Sequence, residues 1–252
     1  MKVYFVGAGP GDPELLTRKA EKLLRACVVC IYAGSLVSPE VIALVSPQAE
    51  MHNSAAMDLA QTTAVCLAAR DRGVDVVRLH TGDPCLYGAI NEQMDELDRH
   101  GIDYEVVPGV SAFQAAAAAL KRELTAPGVV QTVILSRAGG RTPVPQAEAL
   151  ENLARTGATL CLYLSIHQIE TIARRLAAEY GTDCPAAVVF HASRPDQQVL
   201  TGTLADIAAK TTAAGITKTA LILVGRSLTL GGARSKLYDS AFSHGYRKAG
   251  EA

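Results

Sequence analysis

The sequence has almost no excess charge of either sign, since 24 Lys and Arg residues stand against 25 Asp and Glu residues. A chain with so small a net charge produces no strong electrostatic field that would attract nucleic acid or an anionic membrane surface. The sequence also lacks a long apolar run at its start, where one Lys and a short hydrophobic segment precede the first glycines. We therefore expect no secretory signal and no membrane span.

Cysteine is sparse and irregularly spaced, with six residues in the chain. Cys27, Cys30, Cys66 and Cys161 lie in apolar runs, which is typical of buried core in a reduced compartment, so we expect a cytoplasmic protein. Cys27 and Cys30 have the spacing of a redox or metal pair, but no second Cys/His pair matches it. We interpret both as small core residues.

Motifs of covalent and metal catalysis are absent as well. The sequence has no Gly-x-Ser-x-Gly turn and no cluster of His, Asp or Glu with metal-ligand spacing. We therefore expect no bound metal, and we assign no catalytic residue.

Short apolar runs alternate with stretches of helical periodicity along the whole chain. They lie at residues 3–6, 27–32, 74–79, 104–107, 131–135, 159–164, 186–191 and 220–224. In the first four runs this rhythm indicates a parallel sheet covered by helices, and the later runs indicate a second α/β unit. The chain is long enough to bury two cores. We predict an α/β fold with two domains, residues 1–113 and 114–252.

The first apolar run is followed by Gly7-Ala8-Gly9-Pro10-Gly11-Asp12. We expect Asp12 to cap the next helix, with Pro13 at its first position. Such a turn can bring backbone amides close to a cofactor. A nicotinamide site would also need an acidic residue at the end of the second strand, where the chain reads Ile31-Tyr32-Ala33-Gly34. The sequence thus disfavours a nicotinamide oxidoreductase, although a tight turn without a ligand remains open.

Two further loops follow predicted strands, Thr81-Gly82-Asp83-Pro84-Cys85-Leu86-Tyr87-Gly88 and Val107-Pro108-Gly109-Val110-Ser111-Ala112. In this order and spacing, the three loops resemble the tetrapyrrole methylases, which include the uroporphyrinogen and precorrin methyltransferases. Residues 189–197 and 219–225 are similar to the family's later strands. The resemblance implies two α/β domains with S-adenosyl-L-methionine in the cleft between them, and a homodimer.

Two segments narrow the resemblance within the family. Residues 32–39 and 235–247 look like those of precorrin-4 C11-methyltransferases, whereas uroporphyrinogen methyltransferases usually carry a charged residue where Ala33-Gly34-Ser35 stands. The resemblance therefore implies methylation of ring carbon 11 of precorrin-4, giving precorrin-5 in cobalamin biosynthesis. The alternatives are a cobalt-containing precorrin-4 of the anaerobic pathway, uroporphyrinogen, or a carrier of tetrapyrrole or nucleotide without turnover.

The family's site residues carry over one by one. Those implied for the cofactor are Pro10, Thr81, Gly82, Asp83, Ser111, Ala112, Leu164, Ala192 and Ala220. Asp83 can accept from the cofactor's ammonium or ribose. Other members often carry Met where Leu164 stands, so we expect a backbone contact there.

An anionic tetrapyrrole needs cations or donors for its carboxylates. Our candidates for substrate binding are Tyr87, Arg137, Arg141, His167 and Arg194. A solvated surface position is the competing interpretation for each charged residue, and a core position is the alternative for Tyr87. Because the sulfonium methyl is already electrophilic, we expect catalysis to come chiefly from orientation of the two reactants, an effect of about 7–11 kcal/mol.

Overall fold

A computed structural model describes residues 1–140, 142–229 and 235–248. The chain forms two compact units, of which the first comprises Met1–Ala116 with His191–Gln197 and the second comprises Ala117–Phe190 with Gln198–Ala252. His191–Gln197 thus clusters with the first unit, although a division in chain order at residue 113 assigns it to the second. No helix among the described residues is long and apolar enough to cross a membrane.

The first unit contains a five-stranded parallel sheet in the order β3-β2-β4-β1-β5. Its strands are β1 (Lys2–Gly7), β2 (Val29–Tyr32), β3 (Glu50–Asn53), β4 (Val76–His80) and β5 (Asp103–Val107). The helices that follow them are α1 (Arg18–Ala26), α2 (Pro39–Ile42), α3 (Leu59–Asp71), α4 (Asn91–Arg99) and α5 (Ala112–Leu120). Apart from the short β3, the strands correspond to predicted apolar runs.

Both faces of this sheet are covered by apolar side chains. Leu24 of α1 and Val41 of α2 pack with Leu79 on one face, whereas Leu97 of α4 packs with Phe5 on the other. Cys27 and Cys30 belong to the first of these cores, and Cys66 to the second. The interpretation of these three cysteines as core residues is confirmed.

The start of the first helix differs from the prediction. Asp12 caps only a short 3-10 turn, Pro13–Leu15, in which its carboxylate accepts from the amide of Glu14 at 2.9 Å. Leu16 is extended, and α1 begins at Arg18 after Thr17, whose hydroxyl oxygen accepts from the amide of Ala20 at 3.1 Å. Two capping side chains five residues apart thus divide one expected helix into two elements.

The second unit contains a five-stranded mixed sheet in the order β6-β7-β10-β8-β9. Its strands are β6 (Val133–Arg137), β7 (Thr159–Tyr163), β8 (Pro185–Phe190), β9 (Gln198–Thr203) and β10 (Ala220–Val224). The helices are α6 (Leu150–Ala154), α7 (Ile169–Tyr180) and α8 (Ile207–Ala213). Leu160, Leu162, Leu176 and Ile222 lie in its core.

Strand pairing in this second sheet differs from that of the first sheet, which is parallel throughout. Only β6 and β7 pair in parallel, and the other three pairs are antiparallel. The physical reason is the length of a connection, because His191–Gln197 joins β8 to β9 and is too short for a parallel crossover. The largely exposed β9 carries no apolar run, so the hydrophobic pattern did not reveal it.

Candidate active site

The three glycine-containing loops meet at the carboxyl edge of the first sheet. The first loop (residues 7–12) leaves β1, the second loop (residues 81–88) leaves the neighbouring β4, and the third loop (residues 108–111) leaves β5 on the other side of β1. The chain departs from β1 towards α1 on one face and from β4 towards α4 on the opposite face. This is a topological switch point, where open α/β sheets bind ligands.

The glycines of these loops pack backbone against backbone. The amide of Gly9 donates to the carbonyl of Gly82 at 3.2 Å, and the amide of Gly82 donates back to the carbonyl of Gly9 at 2.8 Å. A Cβ added at Gly7 would lie 2.6 Å from the Cα of Gly109, so the close approach leaves no room for a side chain. Gly9 and Gly82 thus use their amides to join the first and second loops.

Asp83 joins the second loop to the third. One carboxylate oxygen accepts from the amide of Gly109 at 2.9 Å, and the other accepts from the amide of Cys85 at 2.8 Å. A carboxylate has further lone pairs, so it can also accept from a ligand. The structure therefore adds a loop-fastening role to the cofactor contact that the sequence suggested.

The first loop is held by the segment that follows β8. The amide of Asp12 donates to the hydroxyl of Ser193 at 3.0 Å, and the hydroxyl of Ser38 donates to the carbonyl of Gly11 at 2.5 Å. Ser38 could have been found from its position before Pro39, but nothing in the local pattern pointed to Ser193. These contacts account for the place of His191–Gln197 in the first unit.

Arg194 lies against the same loop. A Cβ added at Gly11 would stand 3.1 Å from Nε of Arg194, and the guanidinium donates to the carbonyl of Leu36. Its Nε is buried and has no hydrogen-bond partner among the residues the structure describes. Arg194, which we selected for a substrate carboxylate, is thus half-buried and fastened to residues 32–39.

The remaining cofactor candidates of the first unit lie within the three loops or beside them. Pro10 is buried, and the hydroxyl of Thr81 donates to the carbonyl of Leu36 at 3.5 Å. Ser111 is buried at the start of α5, where its amide donates to the side chain of Gln114 at 2.9 Å. Ala112 is the first residue of α5, and Ala192 is buried in the segment after β8.

The candidate residues of the second unit lie at one edge of its sheet. At this edge β6, β7 and β8 end and the antiparallel β10 begins. The register places Ala220 opposite Phe190, and Leu164 directly follows β7 at this edge. Leu164 and Thr219 have φ values of 54° and 55°, which are rare for residues other than glycine. Such strained backbone is concentrated at functional sites.

The described substrate candidates are divided between the two units. Tyr87 has 45% of its surface exposed in the second loop of the first unit. In the second unit, Arg137 donates to the carbonyls of Thr142 at 3.0 Å and Pro143 at 2.8 Å, while His167 is exposed. Arg141 lies outside the described residues.

A buried histidine precedes the second loop. His80 is 6% exposed, and its Nε2 has no hydrogen-bond partner in the part of the chain that the structure describes. Burial, reinforced by the charge of Arg78, lowers the pKa of His80 to about 3. The imidazole is therefore neutral at physiological pH. Within the described ranges, no three His, Cys, Asp or Glu side chains form a group that could hold a metal ion.

Comparison with known proteins identifies this architecture. The family model of the Tetrapyrrole (Corrin/Porphyrin) Methylases matches residues 2–208. The chain belongs to this family. It is therefore a methyltransferase, and the predictions of family, of a two-sheet α/β fold and of an enzyme are confirmed.

Relatives and solved structures match over almost the whole chain. The cobalt-precorrin-4 C(11)-methyltransferase of Methanocaldococcus jannaschii is 50% identical over 98% of this chain and 96% of its own. The precorrin-4 C(11)-methyltransferase of a Sinorhizobium species is 45% identical over 100% of both chains. A solved cobalt precorrin-4 methyltransferase of cobalamin biosynthesis superimposes with a TM-score of 0.88 at 45% identity, covering 90% of this chain and 96% of that one.

The uroporphyrin-III C-methyl transferase of Thermus thermophilus was solved in complex with S-adenyl homocysteine. It superimposes with a TM-score of 0.75 at 29% identity and covers 93% of this chain and 96% of that one. The precorrin-4 enzymes are thus nearer to this chain than this uroporphyrin enzyme is.

Proposed function

We propose that this chain transfers a methyl group from S-adenosyl-L-methionine to ring carbon 11 of precorrin-4 and yields precorrin-5 in cobalamin biosynthesis. One observation carries the proposal: enzymes named for C(11) methylation of precorrin-4 or its cobalt form are 45% and 50% identical to this chain over nearly its full length. Carbon 11 is the same target in both names, so the regiochemistry does not depend on the metal content of the ring.

In this proposal, residues from each unit contact the cofactor. Those of the first unit are Pro10, Thr81, Gly82, Asp83, Ser111, Ala112 and Ala192, and those of the second are Leu164 and Ala220. The switch point between β1 and β4 supports the first set, because open sheets bind ligands at this place. The strained backbone at Leu164 and at Thr219, which precedes Ala220, supports the second.

When bound, S-adenosyl-L-methionine would supply an electrophilic methyl group. The ring carbon would provide the electron pair of the new carbon–carbon bond, and the electron pair of the broken carbon–sulfur bond would stay on sulfur. The protein's task is to hold the ring carbon and the methyl in line and to exclude water. Good alignment supplies about 7–11 kcal/mol. No metal ion and no protein nucleophile take part in the transfer as we propose it.

The macrocycle is anionic, and its carboxylates require donors. We assign this role to Tyr87, Arg137, Arg141, His167 and Arg194. Of these, Tyr87 and His167 are exposed, which supports an encounter with a large ligand. Arg194 donates to the carbonyl of Leu36, so it also helps to hold residues 32–39, the segment that resembles precorrin-4 C11-methyltransferases.

We further propose that the protein is a cytoplasmic homodimer with domains at residues 1–113 and 114–252. Support for the dimer comes from the family resemblance, and support for the compartment comes from six free cysteines, five of them buried. Sedimentation velocity over a tenfold range of protein concentration should give a mass near twice 26.5 kDa. A single species of monomer mass would contradict the dimer.

The decisive experiment locates the transferred methyl. Purified enzyme is incubated with carbon-13-methyl-labelled cofactor and precorrin-4, and the label is assigned by NMR against a reaction without enzyme. We expect label at carbon 11 alone. Label at another ring carbon, or transfer to uroporphyrinogen but not to precorrin-4, would contradict the proposal. Parallel initial rates with cobalt-precorrin-4 decide which ring is preferred.

A further inference from the structure

Arg78 is a cation in the middle of a strand that lines the core. It lies in β4 with its side chain half-buried beside Cys66 and Leu97. No carboxylate among the described residues forms an ion pair with it, and burial lowers the pKa of Arg78. Burial of a charge without a counterion costs free energy unless neutral groups form hydrogen bonds with it. The hydrogen-bond partners of Arg78 therefore determine whether its position is stable.

The two hydrogen-bond partners of Arg78 are neutral, and each of them donates a further hydrogen bond to a backbone carbonyl. Nε donates to Oε1 of Gln93 at 3.0 Å, and Nη1 donates to the hydroxyl oxygen of Ser54 at 2.9 Å. Ser54 donates in turn to the carbonyl of Tyr32 at 3.1 Å, and Nε2 of Gln93 donates to the carbonyl of Ala89 at 2.8 Å. Four hydrogen bonds therefore connect Tyr32 to Ala89 through one guanidinium, and we name this chain of contacts the Arg78 relay.

The ends of the relay are not ordinary core positions. Tyr32 ends β2 and opens residues 32–39, the segment that resembles precorrin-4 C11-methyltransferases in sequence. Ala89 follows the second loop and has φ 48°, a conformation that costs an alanine about 1–2 kcal/mol unless its surroundings hold it. The neighbouring Tyr87 has φ 57° and is a candidate for contact with the macrocycle.

Resting on the proposed function, we propose that Arg78 is a positioning residue that sets the spacing between residues 32–39 and the second loop. The relay reaches the second loop at the end that carries Tyr87, and residues 32–39 contact Arg194, both of which are assigned above to the macrocycle. Because the cofactor candidates Thr81, Gly82 and Asp83 lie at the other end of that loop, we expect the relay to act on the seating of the ring more than on the cofactor. Arginine suits this task because its planar fork fixes two donor directions at once, whereas the ammonium of a lysine is a point charge.

Gln93→Glu provides the sharpest test because it separates the two halves of the relay. A glutamate keeps an acceptor for Arg78 and adds a counterion, but it cannot donate to the carbonyl of Ala89. We therefore expect unchanged or higher thermal stability together with a KM for precorrin-4 raised about two- to tenfold, the value of one lost hydrogen bond. Affinity for S-adenosyl-homocysteine should stay within twofold of the wild type.

Two further variants and a matched control complete the design. Ser54→Ala breaks the other half of the relay and should raise the same KM, and Arg78→Lys should raise it most. Arg25→Lys makes the same change in an exposed arginine of α1 that pairs with Glu21 at 2.9 Å, and it should leave both ligand affinities unaltered. Amide hydrogen exchange in residues 32–38 and 84–90 should become faster in the relay variants but not in the control.

The outcomes test the positioning role of Arg78 and the proposed function separately. A folded Gln93→Glu enzyme with wild-type KM and wild-type exchange would overturn the positioning role. Equal losses in stability, cofactor affinity and turnover in Gln93→Glu and Ser54→Ala would also overturn it, because the relay would then serve the fold alone. If the wild-type enzyme does not methylate precorrin-4, the proposed function fails by itself, and hydrogen exchange still tests whether the relay sets the loop spacing.

Discussion

Asp83 fastens two loops and is also a candidate cofactor contact, so its removal should be felt in two different measurements. The carboxylate accepts from the amide of Gly109 in a partly buried position and from the amide of Cys85 in an exposed one. Hydrogen bonds to charged groups contribute about 1.5–3 kcal/mol, and exposure to water reduces this for the contact with Cys85. Asp83→Ala should therefore lower the free energy of unfolding by about 2–4 kcal/mol.

Asparagine at position 83 should lower the free energy of unfolding by less than alanine does. Asp83→Asn retains one acceptor oxygen, but its amide group faces a second backbone donor, so about half of the stabilisation should be lost. The melting temperature should fall by about 4–12 °C in the alanine variant and by roughly half as much in the asparagine variant. Asp103→Ala, which removes an exposed carboxylate at the start of β5, should change neither the melting temperature nor ligand affinity.

Cofactor affinity supplies the second measurement. Calorimetric titration with S-adenosyl-homocysteine should show a loss of about tenfold to a hundredfold for Asp83→Ala, since a charge-assisted contact would also disappear. An unchanged melting temperature would refute the fastening of the second loop to the third. Wild-type affinity in a folded variant would remove Asp83 from the cofactor site.

Three further substitutions test the same region. Gly109→Ala places a Cβ 2.9 Å from the Cα of Gly7, so it should abolish measurable cofactor binding. The control Gly73→Ala has open space around it at φ 68° and should cost only about 1–2 kcal/mol of stability. Equal effects of the two substitutions would refute the close-packing argument. Arg194→Met keeps the side-chain stem over the first loop and removes the donors, so steady-state kinetics should show a higher KM for the macrocycle at unchanged cofactor affinity, and an unaltered KM would contradict its role. Burial lowers the pKa of His80 to about 3 in the folded chain, against 6.5 for the free side chain. Between these pH values the unfolded chain binds more protons than the folded chain. The free energy of unfolding should therefore decrease as the pH falls, by up to about 1.4 kcal/mol per pH unit. Chemical denaturation of His80→Phe between pH 7 and 4 should show a flatter dependence than the wild type, and parallel curves would refute this account.

Much of the first unit could be predicted from the sequence because its signals are local. The apolar runs identified four of the five parallel strands, and the alanine-rich segment Ala112–Leu120 is helical. Gly73 and Gly101 end helices in the left-handed region, with φ 68° and 62°. Each of these features depends on residues a few positions apart, so burial periodicity and backbone preference are sufficient to find it.

The second unit was harder to predict for a physical reason. The direction of a strand depends on the connection before it and on the partner it finds, and an apolar run of five residues carries no direction. The chain returns from β8 through seven residues to an exposed edge strand, so the pairing is antiparallel. β9 carries no long apolar run, because three of its six residues are exposed.

The sequence by itself determined the family, the α/β fold class with two units and the loops that are candidates for the cofactor. Only the tertiary structure decided what those loop residues touch. Asp83 reaches Gly109 across 26 positions of the sequence, and Asp12 reaches Ser193 across 181. Local patterns record how a residue suits its own strand or turn, whereas such pairs follow from the order of strands in the sheet and from the path of distant segments. That order is set by the packing of the whole chain.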